Sequence, residues 1–182
     1  MVSHDHAWSG ACREHAQVLT EFLAMIDRMP PDRWQRPPRP NKWSAATLTE
    51  HLSVTYAYGR DAATTGRGMR LLVPRPIAWA ARTFILPRML ASQKFARGAK
   101  APAEVRPDVG ESAALTQAEA KMRLTERADE SLAAFDRAMR ERPELRITHA
   151  YFGPLSLLLT LRMLSAHTRH HSGGMAWRLN AR

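Results

Sequence analysis

Residues 157–177, LLLTLRMLSAHTRHHSGGMAW, put Leu157, Leu161, Leu164, His167, His171 and Met175 at helical spacing. Residues three and four apart share one face of a helix, so the pattern predicts a long last helix whose inward line changes from leucine to imidazole. A buried imidazole needs a polar partner. A lone inward histidine finds one in a neighbouring hydrogen-bonding group. Two at four-residue spacing, joined by a third from another helix, can instead share one cation.

The third ring is expected from residues 43–52, WSAATLTEHL. Ser44 reads as an N-cap, and the spacing predicts a helix from Ala45 to about Thr64, closed by Gly66 and Gly68. On it Leu48, His51, Leu52, Thr55 and Tyr58 fall on one side, which leaves Glu50, like Glu14 on the first helix, for a solvent face. The candidate metal ligands are therefore His51, His167 and His171. His170 sits one residue off their face and reads as a surface neighbour. His4, His6, His15 and His149 lack a partner at ligand spacing and read as structural or exposed. Backbone carbonyls, Asp61, Glu14 and Tyr58 are the candidates for orienting the rings.

Further out, the first helix is expected to start behind Ser3 as its cap and to stop at Met29, before Pro30 and Pro31. Its stripe is Trp8, Cys12, His15, Leu19, Phe22 and Ile26. Five prolines in residues 30–41 predict a stiff connector anchored by Trp34 and Trp43. Between Pro74 and Pro102, Ile77, Trp79, Ala80, Phe84, Ile85, Met89, Leu90 and Phe95 suggest one or two short amphipathic helices interrupted at Pro87. A third long helix is expected from after Ser112 to Arg140, burying Leu115, Ala118, Met122, Leu132, Phe135 and Met139. A short link through His149, Tyr151 and Phe152 leads to Gly153 and to Pro154 as the first residue of the last helix. No strand pattern or internal repeat is evident. The expected fold is all-α, an up-down-type four-helix bundle in one domain spanning 1–182, with a basic, partly helical insert between its second and third long helices.

The 182 residues suffice for a hydrophobic core, and an apolar fraction of 45% is that of an ordinary globular protein. Cys12 is the lone cysteine, which rules out an internal disulfide and a thiolate metal cluster. Met1 to Gly10 has no apolar core segment and no run is long enough to span a bilayer, so a cytoplasmic protein is expected. The net charge of +10 is concentrated in residues 67–100, where Arg67, Arg70, Arg75, Arg82, Arg88, Lys94, Arg97 and Lys100 occur without an acid. This segment can be a solvated face, a positive rim that attracts an anionic substrate, or a surface for nucleic acid or anionic membrane.

Two stretches resemble the DinB-like metal-binding superfamily of bacterial four-helix bundles, which includes thiol-dependent S-transferases. The first is Trp43 and Ser44 followed by His51, eight residues after the tryptophan. The second is His167, Thr168, Arg169, His170 and His171, preceded by Tyr151, Phe152, Gly153 and Pro154. The resemblance implies that His51, His167 and His171 hold Zn²⁺, Ni²⁺ or a similar divalent ion, with a low-molecular-weight thiol as a possible cosubstrate. One departure concerns the substrate shell: many relatives carry a glutamine three residues after the last ligand, where this chain has Gly173 and Gly174.

Three neutral imidazoles leave a divalent ion its full charge and an open position. The expected activity is that of a metal-dependent thiol S-transferase or related small-molecule transferase. The alternatives are a metal-dependent hydrolase using the same position and a non-enzymatic bundle that the metal merely staples. No catalytic side chain stands out. The expected partner is a small molecule, with an anionic one among the options and a homodimer as a further option; nucleic-acid and peripheral membrane contacts are not expected.

Overall fold

The computed structural model describes residues 2–92, 95 and 101–180; Lys94, Arg97 and Lys100 of the basic segment and the His4 side chain lie outside the described residues. Four long helices, α1 (Val2–Asp27), α3 (Ala45–Thr65), α7 (Gln117–Glu141) and α8 (Leu157–Asn180), build a helical bundle, so the all-α expectation holds. α3 packs along α7 and α1 along α8. Phe22, Leu52, Tyr56, Leu124, Phe135 and Leu161 are buried at its centre. α1 starts at Val2, so Ser3 lies inside it and not at its cap, and it ends at Asp27, after which the Met29 N–H reaches the Ile26 carbonyl. The proline-rich connector contains one helical turn, α2 (Pro31–Trp34), and its anchor is as expected: Trp34 is buried and donates its indole N–H to the Leu115 carbonyl at 2.9 Å.

α3 begins and ends where its capping residues put it. The Ser44 hydroxyl accepts the Thr47 N–H, and Gly66, at φ 77°, closes the helix by donating to Ala62. Its polar faces are not as expected. Glu50 is only 4% exposed, pointing between α3 and α7 toward Arg127 at 3.3 Å and Arg123 at 3.5 Å; Glu14 on α1, by contrast, keeps a partly exposed side chain, as expected, and pairs with Arg169 at 3.0 Å.

The third long helix starts later than expected. Val109–Ala114 forms a separate short helix, α6, capped by Asp108, and Leu115 breaks it with an extended backbone. Thr116 and Glu119 then make a capping box that starts α7. The face of α7 that is buried holds Ala120, Leu124, Ala128, Ser131, Phe135 and Ala138, whereas Met122 is 67% exposed and Ala118 also faces solvent. Small residues win because the helices approach closely: a Cβ at Gly59 on α3 would lie 3.2 Å from the Ser131 hydroxyl. Of the expected line, Phe135 is fully buried and Leu115, Leu132 and Met139 pack at the edge of the core, so Ala118 and Met122 are the two that fail.

The insert is one helical run, the first of the two expected alternatives, and it is not interrupted at Pro87. α4 (Arg75–Ala80) passes through a π turn (Ala81–Ile85) into α5 (Leu86–Ser92), with the Leu86 N–H bonded to the Ala81 carbonyl. Pro87 lacks an N–H and crowds the preceding turn, and the wider π turn just before it absorbs both defects. Arg146–His149 (β1) and Gly153–Ser156 (β2) pair antiparallel, Ile147 opposite Leu155 and Thr148 opposite Pro154, so Pro154 is a strand residue and α8 begins at Leu157. Segment 67–72 crosses the outer side of β1, its Met69 and Leu72 N–H groups donating to Thr148 and Ala150.

His15 is a core residue, as expected for a histidine without ligand spacing. It is 2% exposed, edge-on to Tyr56 at 5.3 Å between ring centroids, and burial pushes its pKa down to about 4. The unfolded chain then binds a proton between pH 6.5 and 4 that the folded one refuses, so stability falls as pH falls through that window. Replacing His15→Leu should remove up to about 3 kcal/mol of this acid loss, since each pKa unit is about 1.4 kcal/mol. Urea unfolding at pH 7 and pH 4.5 checks it; an unchanged difference between the two pH values contradicts the assignment.

Candidate metal centre

α3 supplies His51 and α8 supplies His167 and His171, one turn apart, and their ligand-capable atoms all lie within 4.8 Å of one another. Helix α3 is held in register with α8 next to the rings by a 2.7 Å hydrogen bond between the Tyr56 hydroxyl and Thr168, two groups that sequence reading did not single out. The Thr55 hydroxyl also donates to the His51 carbonyl, and the Trp43 ring lies 4.9 Å from the His51 ring.

The orientation of His51 fixes its tautomer. Its Nδ1 is 2.8 Å from the Val105 carbonyl, a pure acceptor, so Nδ1 carries the proton and Nε2 presents a bare lone pair. Val105 comes from a 3₁₀ turn, Ala103–Val105, between the insert and α6. A backbone carbonyl was one expected kind of ring partner. Asp61 and Glu14 are engaged by Arg60 and Arg169, so neither orients the trio.

From there the geometry is that of a ligand set. His167 Nε2 lies 3.3 Å from His51 Nε2 and 3.0 Å from His171 Nε2. Nitrogens bound tetrahedrally at 2.0–2.1 Å from one Zn²⁺ are about 3.3 Å apart, so small shifts of the rings would seat an ion. Burial holds all three imidazoles below their ordinary pKa, His167 and His171 well below it with the neighbouring rings adding to the effect. They are therefore neutral at physiological pH, as metal ligands must be.

Of the other described histidines, His6 is exposed and His15 is a core residue, as the spacing suggested, whereas His149 and His170 both line the cavity beside the trio. His170 is exposed and stacks near Phe95, 5.0 Å between centroids. His149 is not merely structural: it faces the same cavity as the trio, packs 4.9 Å from Phe152, and burial drives its pKa down to about 4. Its Nδ1 accepts the Tyr151 N–H at 3.2 Å, so its proton sits on Nε2. Only the hairpin, invisible in the sequence, brings it there.

Gly173 and Gly174 do not loosen α8, which continues to Asn180. The space next to Gly174 is taken by Arg178: its Nη1 lies 3.2 Å from where a Cβ would stand and donates to the Gly174 carbonyl at 2.6 Å. The same guanidinium donates to the Trp43 carbonyl, tying the end of α8 to the start of α3. Arginine and two glycines thus occupy the position where glutamine was expected.

Residues 14–175 match the DinB superfamily. The chain belongs to that family. No curated protein and no solved structure is significantly similar to it. Among the described residues of this DinB superfamily member, His51, His167 and His171 form a cluster that could hold a metal ion, and no helix is long and apolar enough to cross a membrane.

Beside the trio lies a cavity of about 450 Å³, walled by α3, α8, the hairpin and the insert, and all three rings line it. The insert helix contributes Ile77, Ala81, Ile85 and Met89 as its roof.

Proposed function

We propose that this protein is a metal-dependent small-molecule transferase, and that the reaction is transfer of a thiol sulfur to an electrophilic carbon. One observation carries the reading: the three imidazoles converge on a wall of a roughly 450 Å³ cavity, so a ligand can reach the point where their lone pairs meet. A metal that only stapled helices would need no such space.

His51, His167 and His171 would hold the ion through Nε2, with the Val105 carbonyl fixing the His51 ring. A divalent ion held by three neutral ligands supplies Lewis-acid chemistry, favouring a thiolate over the thiol at neutral pH. The cavity orients the electrophile against the sulfur and keeps water from competing. A carbon–sulfur bond forms as the carbon–leaving-group bond breaks, the leaving group departs with the bonding pair, and the thiol proton passes to solvent.

The test uses untagged protein. About one equivalent of Zn²⁺ or Ni²⁺ should bind, and the loaded protein should consume a low-molecular-weight thiol in the presence of 1-chloro-2,4-dinitrobenzene faster than the stripped protein does. Stripping should leave the bundle folded, with far-UV circular dichroism unchanged, because its core is continuous without the ion. No stoichiometric metal would overturn the proposal. Unfolding on chelation would favour the staple instead.

A further inference from the structure

We infer that the electrophile handled in this cavity is an uncharged, predominantly apolar molecule. The inference rests on the proposed function, because the cavity is a substrate site only if the trio in its wall is the reacting centre.

The described lining residues include no lysine, arginine, aspartate or glutamate. The described arginines of the basic segment stay out of the lining. Arg67, Arg70, Arg75 and Arg88 are exposed and absent from the lining, and Arg82 is engaged by the Pro154 carbonyl at 3.0 Å. An anion entering the cavity would lose its water and meet no lysine or arginine among the described lining residues. The ion itself would offer positive charge there, and in the proposed reaction the sulfur takes that position.

What the walls do offer is apolar surface of an adaptable kind. Three thioethers, Met69, Met89 and Met163, line the cavity together with Ile77, Ile85 and Leu164. Methionine side chains repack around differently shaped ligands at low cost, so the walls suit a range of apolar shapes more than one rigid substrate. The roof continues this character outward. Ile77 and Ile85 line the cavity yet are 55% and 56% exposed, and Trp79 and Phe84 lie exposed on the same helical run, 6.2 Å apart between ring centroids. An apolar molecule reaching the roof therefore meets apolar side chains before it meets the cavity. Polar handles are uncharged or imidazole groups scattered among these apolar walls: the Tyr58 and Tyr151 side chains, Thr55, Thr148, Thr160, His170 and the Nε2–H of His149.

A matched pair of fluorescent probes tests the charge preference directly: N-phenyl-1-naphthylamine is neutral, and 1-anilinonaphthalene-8-sulfonate is a closely similar framework carrying an anion. Titrated into the full chain with and without one equivalent of Zn²⁺, the neutral probe should bind one site at least tenfold more tightly than the sulfonate. Val73→Trp and Ala81→Trp, each placing an indole in the cavity wall, should weaken the neutral probe about tenfold while leaving metal stoichiometry unchanged. Equal or tighter binding of the sulfonate, or neutral-probe affinity untouched by both folded variants, overturns the inference. The charge comparison needs wild-type protein alone, so it stands even where a variant fails to fold. Metal titration of the same preparation separates the two proposals: protein that takes up no ion but prefers the neutral probe sinks the transferase reading, and protein that takes up the ion but prefers the sulfonate sinks only the apolar substrate.

Discussion

His167→Ala should cost the protein its metal, raising the dissociation constant by two to three orders of magnitude. His167 is the hinge of the trio, because its Nε2 is the atom near both others, 3.3 Å from His51 and 3.0 Å from His171. Removing it leaves two nitrogens on different helices and no third ligand between them. Binding energies of about 10–16 kcal/mol spread over four ligands in structural zinc sites imply about 2.5–4 kcal/mol per ligand, which is the size of the expected loss. The apo protein should respond differently. Without an ion the trio is one buried and two half-buried neutral rings whose Nε2 atoms crowd together, so His167→Ala should leave the apo melting temperature near the wild-type value or raise it. Metal added at 100 times its dissociation constant stabilises the wild type by about 2.7 kcal/mol, and that increment should vanish in the variant. Calorimetric titration and thermal melting with and without Zn²⁺ read the two effects separately. His170→Ala, one residue from the ligand face, should retain the metal. Wild-type affinity in His167→Ala would show that the rings meet for packing alone.

That this trio can be read from sequence follows from helix geometry. The period carries His167 and His171 to the same side as Leu161 and Leu164, and Ser44 and Gly66 mark the ends of the helix that brings His51, so a pair on one helix and a third ring 116 positions before His167 could be assigned to one place. What holds the rings was not readable, because it depends on groups whose position only tertiary structure sets. The Val105 carbonyl has no side-chain signature, and Arg178 looks like any basic residue in a last helical turn until the Trp43 carbonyl is seen under it. The hairpin escaped because each strand has four residues, too few for an alternation to show, and Pro154 reads more strongly as a helix start than as the strand partner of Thr148. On α7 the expected line held at Phe135 and, at its border, at Leu132 and Met139, but missed Ala120, Ala128 and Ser131, which are chosen there for closeness of approach to α3 and not for the area each buries. Pro87 was read as a break because a π turn, which cancels its missing donor, leaves no mark in composition.

The hairpin also sets the second large effect. Gly68→Ala should destabilise the protein by about 3 kcal/mol, while the same change at Gly173 should stabilise it. A Cβ on Gly68 would stand 2.3 Å from the Thr148 nitrogen and 2.6 Å from its carbonyl oxygen. Those atoms are backbone, fixed by pairing of β1 with β2, and cannot rotate away as a side chain would. The clash must instead push segment 67–72 off the strand, breaking the Met69 and Leu72 N–H bonds to Thr148 and Ala150. Overpacking of this kind costs about 1–3 kcal/mol, and backbone against backbone belongs at the upper end. A chain of this size should melt roughly 6–12 °C lower. Met69, Val73, Thr148 and His149 all wall the cavity, so the displaced segment opens it, and the neutral probe should bind less tightly even below the melting range. Gly173 faces open space in the interior of α8, with nothing within 4 Å of an added Cβ, so alanine there gains the helical preference of about 0.5–1 kcal/mol. Opposite signs for one chemical change separate contact from propensity. If Gly68→Ala instead melts with the wild type, and its Met69 and Leu72 amides exchange no faster, segment 67–72 does not press on β1 and the wall of the cavity is built some other way.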